Sequence, residues 1–432
     1  MLNKSVIYRC AVTALILIFG TGCTGNEVID EVIGTEKTLK GDISIWSREE
    51  TKGTIENAAR LFVKENPEVK ISVTAVPKEE LKNRLKTSVA SKEGVPDIVE
   101  VSTYAIPVLI HELPDFFRPV DKDMEKIKSM VLPWKLKEVT IGEQLYGFPW
   151  DVNPRVLLYN RELADKYNLD PFQAKTWNEF IQMGRKLKER SQGTVKLIAL
   201  NEAENGNLYI GMLRQLKKPL YSQDKGLVLP LEENKLALST INELVNQQLV
   251  YNLQSSEDPV KLLQSEKALC IIADNRSINK LYNSEEFNNT QWQAELFPAF
   301  EFGGKRSAGG EGTAFIMTKQ NEGNQVASEF LRFMLTDNES NIFALKQAGI
   351  IPAVTELYSL PMFNGSIDNF MGLKLWRLMA EQGREEVEIV YDKDYPILVS
   401  ELINLEQEAI AGGDIEDLII GIEAEYKDNS FD

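Results

Sequence analysis

Asp42-Ile43-Ser44-Ile45-Trp46, Lys70-Ile71-Ser72-Val73-Thr74-Ala75-Val76 and Ile98-Val99-Glu100-Val101 are short runs whose apolar residues alternate or cluster as they do in strands. After the first run, Ile55, Ala58, Ala59, Phe62 and Val63 recur at helical spacing until Asn66-Pro67 stops them. After the second, Pro77 precedes a helix expected from Glu79 to Ala90, and Gly94-Val95-Pro96-Asp97 leads into the third. A β-α-β-α-β order with short connections predicts a parallel sheet covered by helices. Such sheets bind ligands beyond the carboxyl ends of their strands, here near Trp46 to Glu50 and near Ser102 to Tyr104.

The same grammar returns later in the chain, without a repeat in sequence. Val156-Leu157-Leu158-Tyr159 and Lys196-Leu197-Ile198-Ala199-Leu200 read as strands, and Thr176-Trp177-Asn178-Glu179 as a capping box opening a helix. A helical stretch around Leu208 to Leu216 is followed by the apolar run Ala268 to Ala273, the turns Gly303-Gly304 and Gly309-Gly310-Glu311-Gly312, and the strand Ala314-Phe315-Ile316-Met317. From Asn324 onward the pattern is almost entirely helical, and acidic from Met379. With 432 residues, two domains are expected.

Composition removes several classes of function. A formal net charge of −17 argues against a nucleic-acid partner, because phosphate backbones are held by Lys and Arg. With Cys10, Cys23, Cys270 and His111 as the whole Cys/His inventory, no Cys/His metal site is expected, and no cofactor is expected either. No G-x-S-x-G accompanies His111, and Gly304-Lys305 is followed by Arg306 where a P-loop needs Ser or Thr.

Lys4 and Arg9, the apolar run Cys10 to Phe19, and Gly20-Thr21-Gly22 before Cys23 form a secretion signal too short to span a membrane. The stretch resembles the signal and lipobox of bacterial lipoproteins, with Gly20 where that pattern prefers Leu; the resemblance implies a signal peptide over 1–22 and a lipid on Cys23. Residues 23–40 read as a tether, and Cys270, within an apolar run, as a buried thiol.

The rest of the chain resembles the family 1 extracellular solute-binding proteins, the carbohydrate-type receptor lipoproteins of ABC importers. The likeness rests on Ile43-Ser44-Ile45-Trp46-Ser47 with Phe62 to Pro67, on Gly94 to Val99, and on Leu145-Tyr146-Gly147-Phe148-Pro149 with Leu158 to Leu163 and Lys175 to Phe180. Gly309 to Thr313, Ala327 to Phe333 and Gly349-Ile350-Ile351-Pro352-Ala353 complete it. It implies a two-lobed periplasmic-binding-protein-like α/β fold, with a ligand cleft between the lobes and C-terminal helices. Lobe one would hold 41–150 and 270–312, lobe two 155–265 and 313–432. It also implies a monomer anchored at the extracytoplasmic face, with a small carbohydrate and the ABC permease subunits as partners.

A sugar needs hydrogen-bonding groups for its hydroxyls and aromatic rings for its C–H faces. By the likeness these would be Trp46 and Glu49 after the first strand, Ser102 and Tyr104 after the third, and Trp150, Asp151 and Asn153 at a crossing between lobes. From lobe two would come Asn201, Tyr209 and Trp376, and from the 270–312 segment Asp274, Arg276, Gly310 and Glu311. Asp274-Asn275-Arg276 stands where the family usually carries Gly and an aromatic residue, which suggests a charged or heavily hydrogen-bonded ligand group opposite Arg276. Gly309-Gly310 is expected to let backbone approach the ligand. A ligand sensor without transport, a receptor for polyamines or another solute, and a glycosidase using two of Asp151, Glu49 and Glu311 are the alternatives.

Overall fold

The computed structural model describes residues 39–429 apart from 202–205, 218–220, 223–225, 228, 255, 286–289, 322–324 and 386–389. The signal peptide 1–22, Cys23 and nearly all of the tether lie outside the described residues.

The opening strands form as expected: Gly41–Ser47 pairs in parallel with Val69–Ala75 on one side and Ile98–Ser102 on the other. Helix Glu49–Glu65 lies between the first two and helix Lys78–Ser91 between the second and third. The sheet is extended by two strands from far along the chain, giving the order 69–75, 41–47, 98–102, 313–317, 147–149. Strand Thr313–Met317 runs antiparallel to both neighbours.

A second sheet has the order 250–252, 196–200, 268–274, 155–160, 292–295. Its first three strands are parallel, and Arg155–Asn160 is antiparallel to both neighbours. Thr176 caps helix Trp177–Arg190 by the predicted box, its hydroxyl accepting from the Glu179 N–H at 3.3 Å. Cys270 is buried, its thiol donating to the Leu197 carbonyl at 3.2 Å.

Two segments change sides relative to the sequence reading. The region 270–312 was expected in lobe one, yet strands 268–274 and 292–295 belong to the second sheet. The region from 313 was expected in lobe two, yet strand 313–317 joins the first sheet, and helix Gln325–Thr336 packs there through Phe330, Leu331 and Met334. Phe62 holds that helix, meeting Phe330 edge-on at 5.6 Å and Phe333 at 5.4 Å. Apolar strands carry no mark of the sheet they join; pairing and helix cover decide it. The later helices do belong with the second sheet, Trp376 and Met379 in one core cluster and Tyr395, Leu398 and Leu402 in another.

The chain passes between the sheets at 150–154, again between 295 and 313, and again near 351. These passages are stitched together: Trp150 N–H donates to the Thr313 carbonyl at 3.0 Å, Gly310 N–H to Asn153 O at 2.7 Å, and Ala353 N–H to Trp150 O at 2.8 Å.

Candidate functional site

The site grows from the carboxyl ends of strands 41–47 and 98–102. All five residues of Ile98–Ser102 are buried, Glu100 among them. A carboxylate on so apolar a strand must find donors. Glu100 Oε2 accepts from the Arg48 backbone N–H at 3.0 Å and from the Thr51 hydroxyl. Its Oε1 lies 3.8 Å from Arg48 Nε but has no hydrogen-bond partner. Burial raises the Glu100 pKa, against the lowering effect of Arg48 and Thr51 and with a small push from Asp151. Arg48 Nη2 donates to Ser102 Oγ at 2.6 Å, tying the two strand ends together, and the buried Ser47 hydroxyl beside them has no partner.

Asp151 stands at the first passage between sheets, fully buried. Its Oδ1 accepts from the Thr313 N–H and, at 2.8 Å, from the Thr313 hydroxyl. Its Oδ2 has no hydrogen bond and faces Arg276 Nη2 at 3.7 Å. Arg276 opens helix Asn275–Tyr282 of the second lobe and so reaches across toward the first. Burial disfavours its charge, but Asp151, Asp274, Glu100 and Glu50 outweigh that and raise its pKa.

Tyr104 lies at the mouth. Its ring sits 5.9 Å from Tyr395 and 6.5 Å from Tyr391 of the second lobe, with Lys78 Nζ 5.4 Å from its centroid. Beside Tyr104 and Lys78 is a cavity of about 360 Å³, lined by Ser47, Arg48, Glu100, Ser102 and, from the second lobe, Pro396 among others. Two smaller cavities lie elsewhere, about 260 Å³ beside Phe117 and Tyr146 and about 180 Å³ beside Tyr282 and Phe370.

Ser102 and Tyr104 thus line the cavity, and Asp151 and Arg276 meet each other. The other expected aromatic residues are used in the cores. Trp150 is 1% exposed and packs on Phe315 at 5.0 Å; Trp46 is 6% exposed in the first core, with the Arg84 guanidinium 4.9 Å from its ring. Tyr209 is buried and donates to Asn234 Oδ1, and Trp376 meets Tyr282 edge-on at 6.2 Å in a core of the second lobe. Rings enclosed in this way present no free face to a sugar. Asp274 caps its helix, accepting from Ser277 N and Oγ at 2.8 and 2.7 Å. Glu49 is exposed in the first turn of helix 49–65, and Asn201 is half-buried after strand 196–200. Half-buried Glu311 exerts its charge on Tyr395 and Tyr391.

Gly310 is needed for a reason other than ligand approach. A Cβ there would lie 2.8 Å from Asn153 Nδ2 and 2.9 Å from Arg155 Nη2, so the glycine lets the two passages touch. Asn153 Oδ1 is a further buried oxygen without a partner.

Sequence reasoning missed Glu100 as a group lining the cavity, and Tyr391 and Tyr395 as the second-lobe rings that pack on Tyr104. Glu100 carried a signal, being the one charge in Ile98-Val99-Glu100-Val101-Ser102. The tyrosines carried none, because only tertiary packing brings the acidic tail against Tyr104.

With this geometry in place, comparison with known proteins gives a consistent result. The family model for bacterial extracellular solute-binding proteins matches residues 57–366. An arabinooligosaccharide-binding protein of Bacillus subtilis is 24% identical over 351 residues, covering 78% of each chain. One from Halalkalibacterium halodurans is 21% identical over 338 residues, covering 76% of this chain and 74% of its own. The solved structure of the sugar-binding protein MalE from Xanthomonas citri aligns with a TM-score of 0.77 at 17% identity, over 89% of this chain and 96% of its own, and so shares the two-lobed fold. The chain belongs to the bacterial extracellular solute-binding protein family and acts outside the cytoplasm.

Proposed function

We propose that this protein captures a sugar oligomer between its lobes and delivers it to an ABC importer, as a monomer held to the membrane by a lipid on Cys23 after removal of residues 1–22. The lobes in this reading are 41–149 with 313–348, and 155–295 with the helices from 375 onward. The observation that carries the proposal is the cavity of about 360 Å³ between lobes, lined by Arg48, Glu100, Ser102 and Tyr104. Hydroxyl-binding groups beside an aromatic ring are what a sugar requires. The names of the two relatives support an oligosaccharide. A ligand favours closure only to the extent that it binds the closed form better, so contacts from both lobes are required. Ser102 and Tyr104 supply one side, Arg276 and the Tyr395-Pro396 end of the last-but-one helix the other.

The carboxylates serve as hydroxyl acceptors rather than as a hydrolytic pair: Asp151 is held by Thr313, and Glu100 by Arg48 and Thr51. A thermal-shift screen of the full chain against arabino- and malto-oligosaccharides tests the reading. At a hundredfold excess over Kd a ligand specific for the folded state adds about 2.7 kcal/mol. A melt raised by one sugar series is the expected result; a melt raised by spermidine and by no carbohydrate contradicts it.

A further inference from the structure

Charge is balanced inside the cleft, and the balance limits what can enter. One buried carboxylate, Glu100, lines the cavity, a second, Asp151, lies at the passage between lobes, and each already has a guanidinium: Arg48 Nε at 3.8 Å from the first, Arg276 Nη2 at 3.7 Å from the second. The cations at the mouth are also engaged. Lys82 pairs with Glu112 at 2.5 Å, and Lys78 lies over the Tyr104 ring. Glu49, Glu50 and Glu79 are exposed to water, which screens them. What remains unfilled is hydrogen-bonding capacity. Glu100 Oε1, Asp151 Oδ2 and the Ser47 hydroxyl are buried and have no hydrogen-bond partner.

Resting on the sugar reading and sharpening it, we infer that the cleft selects neutral, hydroxyl-rich sugars and rejects both uronates and polyamines. A ligand carboxylate would have to take Arg48 or Arg276 from its partner and leave a buried carboxylate alone, which is strongly unfavourable. An ammonium would compete for Glu100 or Asp151 and strand a guanidinium in the same way. A hydroxyl donates to Glu100 Oε1 without disturbing its pairing with Arg48, completing an acceptor that is costly to leave unmade. Arg276 therefore answers to Asp151 of its own chain, not to a charge on the ligand, contrary to what the Asp274-Asn275-Arg276 segment suggests in sequence.

The test is calorimetric titration of the full chain with neutral arabino- and malto-oligosaccharides, with oligogalacturonates of the same lengths, and with spermidine. The expected result is binding in a neutral series, with the uronates and spermidine weaker by about a hundredfold or more. Uronates binding within about tenfold of the neutral sugars would overturn the inference and leave the sugar reading intact. Spermidine binding with no sugar, or no binding in either sugar series, would overturn both.

Two variants probe the cause. Glu100→Gln keeps the side chain's shape and releases Arg48, so uronate affinity is expected to rise about tenfold. Arg276→Met releases Asp151, and spermidine affinity is expected to rise by a similar factor. Circular dichroism melts identify any variant that fails to fold, and the wild-type titration decides the matter without them. A folded Glu100→Gln protein with unchanged preference would show that charge pairing is not what excludes uronates.

Discussion

The cleft and the junction behind it both bury charge, but they treat it differently. At the junction, Lys135 and Glu138 are 0% and 1% exposed and paired at 2.6 Å, and the second carboxylate oxygen accepts from the Tyr391 hydroxyl at 3.1 Å. Trp134 Nε1 donates to the Gly383 carbonyl at 3.0 Å beside them. Glu100 at the cleft and Asp151 at the passage between lobes each have one oxygen engaged and one without a hydrogen bond. Buried polar groups in folded proteins are nearly all satisfied, so a leftover acceptor that also lines a cavity, as Glu100 Oε1 does, marks where a ligand can complete the structure. The satisfied pair ties the lobes together through Tyr391, whereas Glu100 Oε1 is left beside the cavity without a donor.

Replacing one member of the closed network should cost most. Lys135→Met leaves Glu138 buried without its cation and is expected to lower stability by about 3–5 kcal/mol in urea unfolding. Sugar affinity of the folded protein should not change, and a variant that kept its stability but lost the sugar would reverse the assignment of the two regions.

Tyr209→Phe tests whether a residue expected at the ligand is structural. Loss of its hydroxyl strands the buried Asn234 acceptor, with an expected cost of about 1–3 kcal/mol and an unchanged Kd. An intact melt with weakened binding would return Tyr209 to the site.

The smallest effect is a pH dependence. Burial raises the pKa of Glu100 above 4.5, so the folded state binds its proton more tightly than the unfolded state does. The resulting stability is fully present below pH 4.5 and is lost as pH rises through the shifted pKa. Glu100→Gln removes this slope, so wild type should lose stability relative to the variant over that window. Parallel curves would show that Glu100 is not held in a protonation-sensitive environment.

The sequence made the first lobe legible because strand, helix and strand follow one another from Asp42 to Val101, and local periodicity is enough to read them. It misplaced the strands at 268–274 and 313–317 and the helices at 325–348, because a lobe assembled from distant segments is decided by pairing and by contacts such as Phe62 with Phe330. At the site, position along a strand was readable: Ser102, Tyr104, Asp151 and Arg276 fall where the strand ends and passages put them. Burial was not. Trp150 and Trp46 sit in the right neighbourhood, but their rings turn inward, and nothing in residue type separates a stacking indole from a core one.

Hydrogen–deuterium exchange of the full chain with and without the sugar that raises its melt tests the central claim most directly. Occupation of the acceptors at the cleft predicts added protection at 47–51, 100–104 and 274–278, with no change at 133–139. Protection confined to the smaller cavity, at 281–285 and 367–371, would contradict it and place the ligand elsewhere on the second lobe.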